Sequence, residues 1–125
     1  MEEAVIRVRT AVLRELLRWR EVLPAVVNAV KRVLGDVEIY VFGSAIEGKL
    51  TADSDIDIAI VLDEVPRRGL DRASIIDAIW SELEKKGIPW WYPLELHLLT
   101  KREKEMLEKG GAKFIDVNEL LAPSR

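Results

Sequence analysis

The sequence contains no cysteine, no glutamine, two asparagines and a single histidine, His97. Without cysteine there is no disulfide framework, no thiol nucleophile and no cysteine zinc site. One histidine is too few for a histidine-rich metal centre. A metal bound by this chain must therefore be held mainly by carboxylates, the donors that suit hard ions such as Mg²⁺ or Mn²⁺. No apolar run reaches the ~18 residues of a membrane span, and the N-terminus lacks a signal-peptide pattern, so the cytoplasm is the expected location. Little Asn, no Gln or Cys, and abundant Glu, Lys and Arg lean towards a thermophilic source.

What remains is a chain of 125 residues, 49% hydrophobic and 33% charged. That describes one soluble domain, residues 1–125, with a real core and a charged surface. The net charge of −3 argues against general nucleic-acid binding. Its distribution is uneven. Residues 36–64 hold one basic and eight acidic side chains, whereas residues 1–35 hold seven basic and four acidic. Crowded like charges repel unless a cation joins them, which points to a bound metal. Asp53, Asp63 and Glu64 are read instead as solvated loop acids.

Hydrophobic periodicity predicts a helix over residues 2–20, with Val5, Val8, Val12, Leu16 and Trp19 on one face and Arg7, Arg14 and Arg18 on another. Pro24 suits the first turn of a second helix that ends at Gly35. Strands are expected at residues 36–42, 55–62 and 92–99. A helix over residues 70–86 should bury Leu70, Ile75, Ile76, Ile79, Trp80 and Leu83. Thr100 and Glu103 form a capping box for a helix over residues 101–109, and residues 113–117 read as a short edge strand before a frayed terminus. Trp90 and Trp91 read as core or rim packing. The order implies an α/β (α+β) fold, a small mixed sheet flanked by helices. Its parts are an N-terminal helix (1–23), a core (25–110) and a C-terminal tail (111–125).

Unusual chemistry concentrates in residues 41–62, VFGSAIEGKLTADSDIDIAIVL. Two patterns there fail on context. Gly43 to Lys49 fits most of a phosphate-binding P-loop, but Leu50 stands where Ser or Thr must bind Mg²⁺, and a strand follows instead of a long helix. Asp53, Asp55 and Asp57 have calcium-loop spacing, but Ile58 occupies the position that requires Gly. A third pattern fits. Asp55 and Asp57 share one face of a strand whose other face carries Ile56, Ile58 and Ile60. Two such carboxylates can converge on one or two Mg²⁺ ions. Gly43 permits a tight turn, and Ser44 offers a hydroxyl and an N–H to phosphate. Phosphate donors beside metal-binding carboxylates describe a site for a nucleoside triphosphate.

Gly43-Ser44, Gly48 and Ser54-Asp55-Ile56-Asp57 resemble the signature of the DNA polymerase beta-like nucleotidyltransferase superfamily. The chain is most similar to its minimal nucleotidyltransferase (MNT) members, small prokaryotic proteins often paired with a helical HEPN partner. The signature spans about residues 40–62, and the element order extends the resemblance to about residues 25–110. The resemblance implies that Asp55 and Asp57 bind two divalent metals and that a third acid comes from a later strand. Glu95 is its candidate, where Asp is commoner. The catalytic and metal-binding set is then Asp55, Asp57 and Glu95, and the nucleotide-binding set is Gly43, Ser44, Lys49 and Ser54. His97 shares the face of Glu95 and is read as a structural histidine. Ala45 and Glu47 stand where many members carry basic residues, which leaves Lys49 as the nearby cation.

The implied activity is Mg²⁺- or Mn²⁺-dependent transfer of a nucleoside monophosphate, AMP from ATP. The implied acceptor is a HEPN-type partner silenced as the toxin of a toxin–antitoxin pair. Two alternatives stay open: an antitoxin that neutralises its partner by contact, and transfer to a small molecule. No membrane partner and no direct nucleic-acid binding are expected.

Overall fold

The computed structural model describes residues 2–121. Helix α1 (Glu2–Leu17) leads through a 3-10 turn (Trp19–Val22) into α2 (Leu23–Leu34). Strand β1 (Glu38–Phe42), the one-turn helix α3 (Ser44–Glu47) and strand β2 (Ile56–Leu62) follow. Helix α4 (Gly69–Lys85), strand β3 (Leu94–Thr100), helix α5 (Lys101–Lys109), strand β4 (Ile115–Asp116) and helix α6 (Val117–Leu121) complete the chain.

The four strands form one mixed sheet in the order β3-β2-β1-β4. β2 pairs antiparallel with β1 and parallel with β3, and α4 makes the crossover that parallel pairing requires. One face of the sheet is dry. Ile39 and Val41 of β1 and Ile56, Ile58 and Ile60 of β2 pack there against Val26 and Val30 of α2 and Ile79 and Leu83 of α4. Burial of these alternating side chains sets the register, because a slip of one residue would turn the isoleucines to solvent and the acids inward.

The expected α/β class and the mixed sheet flanked by helices are both present. Element positions agree to within two residues at most ends, and the Thr100–Glu103 capping box closes both of its hydrogen bonds at 3.1 Å.

Several expected burials are corrected. Val5 and Val8 are exposed because only the C-terminal part of α1, at Leu16, reaches the core. Leu70 is 82% exposed, since it occupies the first turn of α4, beyond the edge of the sheet. Trp90 and Trp91 form the tip of the turn closed by Tyr92 N–H to Pro89 O, and both are exposed. The short edge strand expected at residues 113–117 is present as β4, and α6 follows it with Val117 buried; residues 122–125 lie outside the described residues.

Candidate active site

The opposite face of the sheet carries the polar chemistry. Asp57 lies one residue inside β2, between buried Ile56 and Ile58, so strand alternation turns it outward. Its neighbour across the antiparallel pair is Phe42, and its neighbour across the parallel pair is Glu95. A half-buried Asp57 and an exposed Glu95 are thus side by side on adjacent strands. His97, two residues beyond Glu95, faces the same way, and its Nε2 lies 3.0 Å from Asp57 Oδ1 and 3.9 Å from Glu95 Oε2. Donor atoms of the three side chains all lie within 4.8 Å of one another.

The Gly43 turn meets this cluster from the end of β1. Gly43 has φ 78° and ψ −152°, a conformation open in practice only to glycine. A Cβ at this position would run into Asp57 Oδ2. Gly43 is therefore required twice, by its backbone and by the carboxylate lying against it. Its carbonyl accepts from the N–H groups of Ile46 and Glu47, which leaves those of Ser44 and Ala45 at the start of the turn without a helical partner.

Aromatic rings wall one side. Phe42 meets the His97 ring edge-on at 5.1 Å and stacks on Phe114 at 4.6 Å. Lys104 of α5 caps the group, its Nζ 4.4 Å from the centre of the Tyr40 ring. Burial pushes the Tyr40 phenol up, with the charge of Glu38 adding to the effect and Lys104 opposing it.

The remaining sequence-predicted residues fall around this centre. Asp55 precedes β2, is exposed, and stands outside the Asp57–Glu95–His97 group. Ser54 is engaged in the loop: its Oγ accepts from Thr51 N–H at 2.8 Å, and its own N–H donates to Thr51 O. Lys49 follows α3 and is exposed. Asp53, read as a solvated acid, makes a two-pronged contact with Arg9 of α1 at 2.9 and 3.2 Å. The sequence placed His97 on the face of Glu95 and read it as structural; the structure adds its 3.0 Å contact with Asp57. Its two-residue spacing from Glu95 within one strand was the available signal.

The family model described as a nucleotidyltransferase domain matches residues 23–121. The chain belongs to the nucleotidyltransferase domain family. That family contains the minimal nucleotidyltransferases. Membership makes the chain a transferase that draws on a nucleoside triphosphate. It is similar to a candidate nucleotidyltransferase of known crystal structure, at 29% identity and a TM-score of 0.51 over 75% of this chain and 95% of that one. A second candidate nucleotidyltransferase, from Sulfolobus solfataricus, shares the fold at 19% identity and a TM-score of 0.51, over 89% of this chain and 83% of that one. No curated protein matches the chain. Among the described residues no helix is long and apolar enough to cross a membrane.

For the metal that such transferases use, the donor set fits: two carboxylates and an imidazole converge on the open face, beside the Gly43 turn.

Proposed function

We propose that this nucleotidyltransferase transfers AMP from ATP to a hydroxyl of a HEPN-type partner protein, acting as the antitoxin of a toxin–antitoxin pair. The observation that carries the catalytic part is the in-register pairing of Asp57 with Glu95 beside the Gly43 turn. Asp57 and Glu95, with Asp55 two residues before Asp57, are the residues that would hold the divalent ion. When bound, such an ion neutralises the triphosphate and lowers the pKa of an attacking hydroxyl.

The chain's own groups do the positioning. Ser44 and Ala45 present N–H groups for the β- and γ-phosphates, Ser44 adds its hydroxyl, and Lys49 supplies the nearby positive charge. Ser54 holds the loop that brings Asp55 to the strand. The acceptor oxygen forms its bond to the α-phosphorus as the bond to the β-phosphate oxygen breaks. Pyrophosphate and the hydroxyl proton leave.

A macromolecular acceptor is supported by the placement of the carboxylates on an open sheet face. A pocket of about 230 Å³ lies elsewhere, lined by Val27, Lys31, Asp36 and Asp116 among others, and none of the candidate site residues lines it. The domain, residues 1–125, carries no second lobe among its described residues to select an acceptor.

The test is incubation with labelled ATP and the product of the neighbouring gene. Label should move to that product, and Asp57→Ala should abolish transfer. A second reading, neutralisation by contact, is favoured by one observation: Ala45 and Glu47 leave the turn without basic side chains. Neutralisation that survives Asp57→Ala, with no label transferred, would establish that reading instead.

A further inference from the structure

We infer that His97 is itself a ligand of the metal site and biases it towards a first-row transition ion such as Mn²⁺ over Mg²⁺. The inference rests on the reading of Asp57 and Glu95 as metal-binding. Small divalent ions hold nitrogen and oxygen donors at about 2.0–2.2 Å. Around such an ion, donors on adjacent corners of an octahedron stand about 3.0 Å apart and those on opposite corners about 4.2 Å apart. His97 Nε2 lies 3.0 Å from Asp57 Oδ1 and 3.9 Å from Glu95 Oε2. The first matches adjacent corners, and the second lies between the two values, nearer to that of opposite corners. Glu95 is exposed, so rotation of its side chain can complete the set.

The ring is not loose. His97 lies inside β3, opposite Ala59, and the edge-on contact with Phe42 at 5.1 Å restricts its orientation. His97 Nε2 is within hydrogen-bond reach of the Asp57 carboxylate, which accepts from it when Nε2 carries the ring proton. Bound to an ion, Nε2 would offer its lone pair from the tautomer whose proton sits on Nδ1. An imidazole donor adds little for Mg²⁺, which prefers oxygen and dehydrates reluctantly, and adds more along the transition series. The mixed carboxylate–imidazole set therefore sets the metal preference of this site apart from that of an all-carboxylate one.

Calorimetry with MnCl₂ and with MgCl₂ tests this on wild type, His97→Ala and Asp57→Ala. Wild type should bind Mn²⁺ about tenfold or more tightly than Mg²⁺, and His97→Ala should remove most of that difference while changing Mg²⁺ affinity little. A second measurement needs no variant. His97 is the only histidine, so ¹⁵N-histidine labelling gives a single imidazole in the NMR spectrum. Zn²⁺, a diamagnetic probe, should shift its Nε2 resonance and remove the attached proton. If Mn²⁺ binds and is lost in Asp57→Ala, yet His97→Ala binds normally and the Nε2 signal does not move with Zn²⁺, the inference is overturned while the metal reading stands. If neither Mn²⁺ nor Mg²⁺ binds wild type, the metal reading falls and takes the inference with it.

Discussion

The carboxylate of Asp57 lies against the Cα of Gly43, in the space that any side chain at position 43 would fill. The turn and the acid are therefore one unit, although strand β2 begins well after the turn ends. Gly43→Ala should cost ~1–3 kcal/mol through its backbone conformation and displace Asp57 as well. Gly35 supplies the control, because it has a similar φ of 77° but nothing within 4 Å of where a Cβ would stand. Gly35→Ala should lose comparable stability in urea and keep ATP affinity, whereas Gly43→Ala should lose both. Equal ATP affinity in the two variants would show that the Gly43–Asp57 contact has no role in the site.

The dry face of the sheet predicts a contrast in stability. Ile58 is fully buried beside Asp57, and Leu70 is 82% exposed. Ile58→Ala should destabilise by ~2–5 kcal/mol, the range for large-to-small changes in a packed core. Leu70→Ala should stay within about 0.5 kcal/mol of wild type. Chemical denaturation measures both.

Arg9 and Asp53 join α1 to the loop that precedes Asp55, but both side chains are largely exposed, at 54% and 73%. Solvent screening limits such a pair to less than ~1 kcal/mol. Arg9→Ala should therefore barely change the melting temperature, and any change should shrink as salt is raised. Its proper readout is mobility of residues 51–55, by hydrogen exchange, which should increase.

Burial pushes the Tyr92 phenol above its ordinary value of 10.0, helped by the charges of Glu15 and Glu21 and opposed by Arg18. A raised folded-state value means that the fold favours the neutral phenol. Its contribution is complete below the ordinary value and is lost as pH rises through the folded one. Wild type should thus lose stability above about pH 10. The Tyr92 hydroxyl also donates to Glu15 O at 3.2 Å, tying α1 to the turn before β3. Tyr92→Phe should cost about 1 kcal/mol at neutral pH and flatten the alkaline decline, leaving the part due to Tyr40. Thermal melts from pH 7 to 11 check both effects. An identical alkaline slope in the variant would rule out the Tyr92 contribution.

Most elements were legible because their signals are local. The Thr100–Glu103 capping box, Pro24 at the start of α2 and the Ile56–Ile58–Ile60 alternation each depend on residues within a few positions of one another. Burial was less legible. Val5, Val8 and Leu70 obey helical periodicity yet remain in solvent, because periodicity names a face and says nothing of whether another element covers it. The site divided in the same way. Gly43, Ser44 and Asp57 were named from one stretch and Glu95 from the family resemblance, and the fold alone brings Asp57, Glu95 and His97 together.

By itself, then, the sequence determined that a glycine turn and outward-facing acids would be carried on strands with an isoleucine-rich inner face, since backbone sterics and the two-residue strand period act locally. Only the tertiary structure decided that Glu95 stands beside Asp57, that His97 points between them, and that the Asp57 carboxylate needs Gly43 to lie where it does. Those relations arise from the parallel pairing of β2 with β3 across the α4 crossover and, for Gly43, from the antiparallel pairing of β1 with β2. That register is set by burying one whole face of the sheet at once, and no single segment encodes it.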